Sequence, residues 1–294
     1  MPIALITGAN SGIGLETALL FARNGYRVFA GTRRPDTMRD LQSIVPVRLH
    51  VDQDDSVCEC VSEVLKQAGA IDVLVNNAGI GLAGPVEMVP LDKVRRLFET
   101  NFYGAVRMMQ AVLPSMRERR RGTVVNVTSV MGHLTWGCHG FYAATKFALV
   151  AVSESLAIEA RPFGIRVAII EPGVVLTPIW NKNDPVDVDA TPYRLSMRRL
   201  FRHFDAQRDR GTTPDAVARA VLEVVREGCT KLRYTVGADA EAGIATRDRM
   251  TPGEWAALLS EEDEDAFLAR AESEFGVDLF NPPSANERRR QQHN

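Results

Sequence analysis

The chain has 294 residues, 45 % of them hydrophobic and 24 % charged, with 35 Lys plus Arg against 37 Asp plus Glu. A net charge of −2 and a pI near 6.2 leave no basic surplus of the kind that binds phosphate backbones or anionic lipid, so a dedicated nucleic-acid protein is excluded. At roughly 150 residues per domain the length suits two domains, or one large α/β domain with an appendage. No apolar run approaches the ~18 to 20 residues that span a bilayer. The first apolar segment, Ile3 to Ile6, is too short and wrongly flanked for a signal peptide. Cys58, Cys60, Cys138 and Cys229 show neither C-x-x-C spacing nor the density of a disulfide framework, so they read as packing residues in a reducing, cytoplasmic setting.

In chain order, short β-rich runs alternate with helical patterns. Ile3 to Ile6 precedes a helix to Asn24, and Arg27 to Ala30 is a second strand. Val47 to Val51 precedes a helix to Ala68, and Val73 to Val75 a helix after Leu91. Thr123 to Val127 leads to a long helix through Phe163; Arg166 to Ile170 and Leu232 to Val236 follow, separated by a helix from Pro214. This rhythm predicts an α/β fold: a Rossmann-type, doubly wound parallel sheet with helices on both faces and ligands beyond the carboxyl ends of the strands. Pro178 to Arg210 breaks the rhythm with a helical spacing of Tyr193, Met197, Leu200, Phe201 and Phe204, an amphipathic helix in an insertion. Thr251 to Glu254 and Ser260 to Asp263 read as two capping boxes of a small helical tail. Its acids between Glu261 and Asp278 read as a solvated face, and Asn281 to Asn294 as disordered. The expected division is therefore a catalytic domain over 1–250, with a lid insertion at about 178–211, and an extension over 251–294.

Several strand ends carry chemistry. Thr7-Gly8-Ala9-Asn10-Ser11-Gly12-Ile13-Gly14 puts three glycines at a strand-to-helix turn, where backbone N–H groups can approach a pyrophosphate. The second strand ends in Gly31-Thr32-Arg33-Arg34, with arginine where an NAD enzyme would place an acid for the ribose hydroxyl. Arg33 suits the 2′-phosphate of NADP, or is a solvated surface residue, and nearby Asp36 leaves NAD open. Asp52 is either an adenine partner or a turn residue. Asn76-Asn77-Ala78-Gly79 suits a backbone lying close to a cofactor or a neighbouring strand.

Asn101 lies in register with Val94, Leu97 and Met108, an amide on an apolar stripe that needs partners: a structural polar group, or one that holds a water or backbone at a site. Tyr142 and Lys146 share one helix face, where an ammonium would lower the phenol pKa from ~10 toward working pH. Ser129 ends the fifth strand thirteen residues before Tyr142, facing the same crevice or serving as a turn residue. Glu171-Pro172-Gly173-Val174-Val175-Leu176-Thr177 brings a rigid turn and a hydroxyl to the same edge.

On these residues the chain resembles the short-chain dehydrogenase/reductase family over residues 1 to about 237. T-G-x-x-x-G-x-G, N-N-A-G, the Asn-Ser-Tyr-Lys set and the P-G turn all occur in family order. The resemblance implies hydride transfer between a nicotinamide and a secondary alcohol or carbonyl. Tyr142 would be the general acid/base and Lys146 the ribose ligand. Ser129 would polarise the substrate oxygen and Asn101 anchor a relay water. Gly8, Asn10, Ser11, Gly12, Ile13, Gly14, Arg33, Asp52, Asn77, Ala78, Gly79, Pro172, Gly173, Val175 and Thr177, with Tyr142 and Lys146, would hold NADP, with NAD possible because Ser11 adds no basic residue to the turn.

Phe29 to Arg33, Asn101 to Gly104 and Glu154 to Leu156 look like the subgroup of 17β-hydroxysteroid and retinol dehydrogenases. That implies a bulky apolar alcohol or carbonyl, and a homodimer or homotetramer. Trp180, Tyr193, Phe201 and Phe204 would form a lid, and His133 and Trp136 a pocket wall, unless they only pack the insertion onto the core. No metal site is expected. Of the alternatives, a non-catalytic NADP-sensing protein is disfavoured by the complete Asn-Ser-Tyr-Lys set, and a Rossmann transferase by its having no use for that tyrosine and lysine.

Overall fold

The computed structural model describes residues 1–38, 44–179, 191–208 and 210–280. The chain alternates β1 (Ile3–Thr7), α1 (Gly12–Arg23), β2 (Arg27–Thr32), β3 (Ile44–Arg48), α2 (Asp54–Ala68), β4 (Val73–Asn76), α3 (Leu91–Phe98), α4 (Gly104–Glu118) and β5 (Gly122–Val127). It continues with α5 (Gly140–Ala160), β6 (Ile165–Pro172), α6 (Arg194–Gln207), α7 (Pro214–Glu227), β7 (Arg233–Val236), α8 (Ala238–Arg249), α9 (Pro252–Leu259) and α10 (Glu264–Phe275). The seven strands form one parallel sheet in the order β3-β2-β1-β4-β5-β6-β7. The order reverses between β1 and β4, and the crevice beyond their carboxyl ends is where this architecture binds ligands.

The pleat sends alternate side chains to opposite faces. Leu5, Phe29, Leu74, Val124 and Val167 meet Val61, Val64, Met108, Val112 and Leu149 of α2, α4 and α5. Ile6, Ala30, Val75, Val125 and Ala168 meet Phe21 of α1 and Val217, Val221 and Val224 of α7. With both faces covered, all five residues of β1 are buried.

The sheet follows the sequence reading, with one shift. The third strand runs from Ile44 to Arg48, three residues ahead of the Val47 to Val51 expected, and includes Pro46. Among the described residues it lies on the sheet edge, paired with β2 alone, so the missing N–H of Pro46 disturbs a ladder on one side only. Gly140–Phe163 is long and apolar enough to cross a membrane by length and composition, contrary to the expectation that no such segment exists. In this fold it packs on the sheet, burying Leu149, Val150 and Leu156 together with Lys146 and Ser153.

Beyond β7 the extension turns back onto the body. Trp136 stands among His203, Trp255, Phe275 and Phe280, with ring centroids 5.1 to 5.9 Å away. The capping box of Thr251 and Glu254 forms. The second does not: Ser260 ends α9, and Asp263 caps α10 by accepting from the Ala266 N–H at 2.8 Å. Of the acids between Glu261 and Asp278, Glu262, Asp263, Asp265 and Glu272 are exposed, but Glu264 binds Arg199 and Arg202 of α6, each at 3.0 Å. Asn281 to Asn294 lie outside the described residues, as does Trp180.

Candidate active site

The glycine turn folds as its composition requires. Gly8 and Gly12 adopt φ of +66° and +56°, a region that L side chains rarely enter. A Cβ on Gly14 would lie 2.5 Å from both the Gly8 carbonyl and the Asn77 amide, so α1 can approach β1 only without one. A Cβ on Gly12 would fill the gap to Thr177, whose methyl would then be 3.0 Å away. Ser11 precedes α1 without a side-chain cap bond, and the first turn carries no acid. The helix therefore presents uncapped N–H groups and its positive end to this gap, the donor set a pyrophosphate requires. Asn77 ties the two central strands together: its amide donates to the Thr7 carbonyl at 2.9 Å, and the Thr7 hydroxyl accepts from the Asn77 and Ala78 N–H groups, both at 2.9 Å. The residues present fit a dinucleotide whose phosphates lie over this turn, with Arg33 and Asp52 exposed at its far end.

At the other end, α5 presents Tyr142 and Lys146. Lys146 is 5% exposed; its ammonium donates to the Val127 carbonyl at 3.2 Å and lies 5.6 Å from the centre of the Tyr142 ring. Burial pushes this lysine down to about 8. Burial also pushes the Tyr142 phenol up to about 12, opposed by a hydrogen bond from Ser129. This reverses the expectation that Lys146 draws the phenol down: burial of the phenol outweighs the Ser129 hydrogen bond, and the ammonium is directed at a carbonyl. Ser129 caps the turn Val130–Gly132, accepting from the Met131 N–H at 3.1 Å and donating to the Pro172 carbonyl at 3.4 Å.

Asn101 does not lie in a regular helix. The chain forms a π turn over Glu99–Tyr103 between α3 and α4, a distortion common at functional sites. The Asn101 side chain accepts from the Ile80 N–H at 2.8 Å and donates to the Ile80 carbonyl at 2.9 Å, so the amide holds a neighbouring backbone. It also donates to Thr145 at 3.3 Å, and the Thr145 hydroxyl donates to the Tyr142 carbonyl at 2.8 Å.

Of the residues expected to form the site, Gly8, Asn10, Ser11, Gly12, Ile13, Arg33, Asp52, Asn77, Ala78, Gly79, Tyr142, Lys146 and Thr177 line one cleft, open to solvent. Gly14, Asn101, Ser129, Pro172, Gly173 and Val175 do not line it; a Cβ on Gly173 would strike the Asp239 carboxylate at 2.2 Å. Sequence reasoning passed over Thr32, Thr128 and Ile80, which line the cleft beside residues it singled out, and the apolar Leu49 and Val51, which carry no sequence signal. It also missed His139, 4 % exposed, whose ring stacks on Tyr142 at 4.7 Å and which burial and His203 push down to about 3. Trp136 and His133 do not wall the cleft. The first is buried among the aromatics of the extension, and the second is held by Asp248 and Arg233.

Fold and cleft together define a Rossmann-type dinucleotide-binding protein. Residues 2–187 match the family model described as short chain dehydrogenase. Retinol dehydrogenase 8 of Homo sapiens is 42% identical over 261 residues, covering 78% of this chain and 79% of that protein. A short-chain dehydrogenase of Streptomyces avermitilis superposes with a TM-score of 0.76 at 31% identity, covering 89% of this chain and 98% of that one. The alcohol dehydrogenase of Thermococcus sibiricus, complexed with 5-hydroxy-NADP, superposes with a TM-score of 0.68 at 25% identity, covering 81% and 96%. The chain belongs to the short-chain dehydrogenase family, and it is an oxidoreductase that uses a nicotinamide dinucleotide.

Proposed function

We propose that the protein uses NADP(H) to interconvert a secondary alcohol and a carbonyl on a bulky apolar substrate of steroid- or retinoid-like shape. The observation that carries this reading is the meeting of Tyr142 and Lys146 at one end of a cleft, with Ser129 outside its lining but within hydrogen-bonding range of the phenol, while the other end holds Arg33 with no acid at the close of β2. The 42% identity to a retinol dehydrogenase supports the substrate class, and the guanidinium supports NADP over NAD.

When bound, the reduced nicotinamide supplies a hydride to the carbonyl carbon. The residues of the chain manage the oxygen and the proton. Tyr142, held protonated by burial, donates its proton to the carbonyl oxygen as negative charge develops there, and takes a proton back in the oxidative direction. Ser129, in hydrogen-bonding range of the phenol, turns its one hydroxyl proton from the Pro172 carbonyl to the same oxygen and fixes its position. Lys146, in the same cleft, would hold the ribose of the nicotinamide half.

NADPH consumption against carbonyls ranging from small keto acids to steroid ketones and retinal tests the reading. The bulky apolar members should turn over. Tyr142→Phe should lose about 10²- to 10⁴-fold in rate while binding NADPH normally. Turnover of small polar keto acids alone would overturn the substrate class, and NADPH binding without any turnover would point to the sensing alternative.

A further inference from the structure

Behind the cleft, on the side away from the nucleotide turn, a single guanidinium touches three of the segments that carry the proposed chemistry. Arg233 lies on the edge strand β7 and is part-buried. Its Nε and one terminal nitrogen fork onto Glu171, at 2.9 and 2.5 Å. That same nitrogen donates to His133 Nδ1 at 3.2 Å, and the other reaches Glu154 of α5 at 3.5 Å. Accepting on Nδ1 leaves His133 to donate through Nε2, which sits 2.7 Å from Asp248.

Each contact leads to a site residue. Glu171 immediately precedes Pro172, whose carbonyl accepts the Ser129 hydroxyl. His133 closes the turn Val130–Gly132 that Ser129 caps. Glu154 lies on α5, the helix that carries Tyr142 and Lys146. The Glu171 carboxylate is 2% exposed, and an apolar pair would serve stability at least as well as a buried ion pair. What the planar fork adds is geometry: it fixes the angle between the end of β6 and the Ser129 turn, which a point charge cannot do.

We propose that Arg233 is a positioning residue, which sets the Ser129 hydroxyl against the Tyr142 phenol by holding Glu171, His133 and Glu154 together. This rests on the reading of Ser129 and Tyr142 given above. Arg233 does not line the cleft and acts only through the segments it joins.

Hydrogen exchange by mass spectrometry on the full chain reads the proposal without any substrate. Arg233→Met would leave the Glu171 charge buried alone, so the informative variant is Arg233→Met/Glu171→Met, with Arg233→Lys beside it. In the double variant, amides of the Ser129 to Leu134 turn should exchange at least ~10-fold faster, while β1 and β2, the thermal midpoint and NADPH affinity stay unchanged. On any carbonyl that the unaltered enzyme turns over, kcat should fall roughly 10- to 100-fold with KM within about twofold. Arg233→Lys keeps the charge but not the fork, and should also loosen the turn and lower kcat.

Unchanged exchange in the turn overturns the proposal. Faster exchange across the whole molecule with a lowered thermal midpoint also overturns it, because the pair would then be a structural element only. If the unaltered enzyme turns over no carbonyl, the functional reading fails, and the exchange of the Ser129 turn still decides whether Arg233 holds it.

Discussion

Two charged side chains show how local surroundings, rather than residue type, set behaviour. Lys146 is protonated in water near 10.5 but pushed down to about 8 when folded. The unfolded chain therefore binds more protons between these values, so stability rises as pH climbs from about 8 to 10.5, and the penalty is fully present below 8. Lys146→Met should accordingly stabilise the cofactor-free protein at pH 7, by about 2 kcal/mol in urea titration, while abolishing turnover. An unchanged or lower midpoint would show that the contact with the Val127 carbonyl already offsets the burial. At the opposite end of the cleft, Arg33 is exposed, and its effect should be confined to one phosphate. Arg33→Ala should weaken NADPH by about 10- to 100-fold and NADH little; equal losses would refute the 2′-phosphate role. Fluorescence titration with both nucleotides separates the two outcomes.

Asn101 was legible as an amide on an apolar stripe, but its partners were not, because the π turn that re-aims it is a departure from the periodicity that revealed it. The turn lets one side chain satisfy both the N–H and the carbonyl of Ile80, next to the Asn77 to Gly79 segment. Asn101→Ala should leave both backbone groups unpartnered, costing about 2–4 kcal/mol by urea unfolding and displacing the strand end that lines the cleft. A cost below about 1 kcal/mol would mean that the segment is held by Thr7 alone. The edge position of β3 explains the other shift in an element: Pro46 is a poor strand residue in general, but pairing partners, not propensity, decide whether it is tolerated.

At the scale of the molecule, the extension completes a third apolar cluster around Trp136 that the sheet and its helices leave open. Trp255 anchors it, burying its ring against Trp136 and Phe275 and donating its indole N–H to the Thr135 carbonyl at 2.9 Å. Trp255→Ala should cost about 3–5 kcal/mol in urea unfolding, whereas less than 1 would make the extension a loosely attached tail. The parallel sheet, the glycine turn and the shared helix face of Tyr142 and Lys146 could be read from the sequence because each rests on local rules: period, turn chemistry and helix spacing. The docking of the extension, the burial of Trp136 away from the cleft, the stacking of His139 on Tyr142 and the grip of Arg233 on Glu171 could not. Those contacts depend on how the whole chain packs, joining for example Trp136 to Phe280 across 144 positions. The sequence by itself determined which chemistry the chain carries, since side-chain type and local spacing specify it. Only the tertiary structure decided the protonation of Tyr142 and Lys146 and the support behind Ser129, because desolvation and hydrogen bonding depend on what the rest of the chain packs around them.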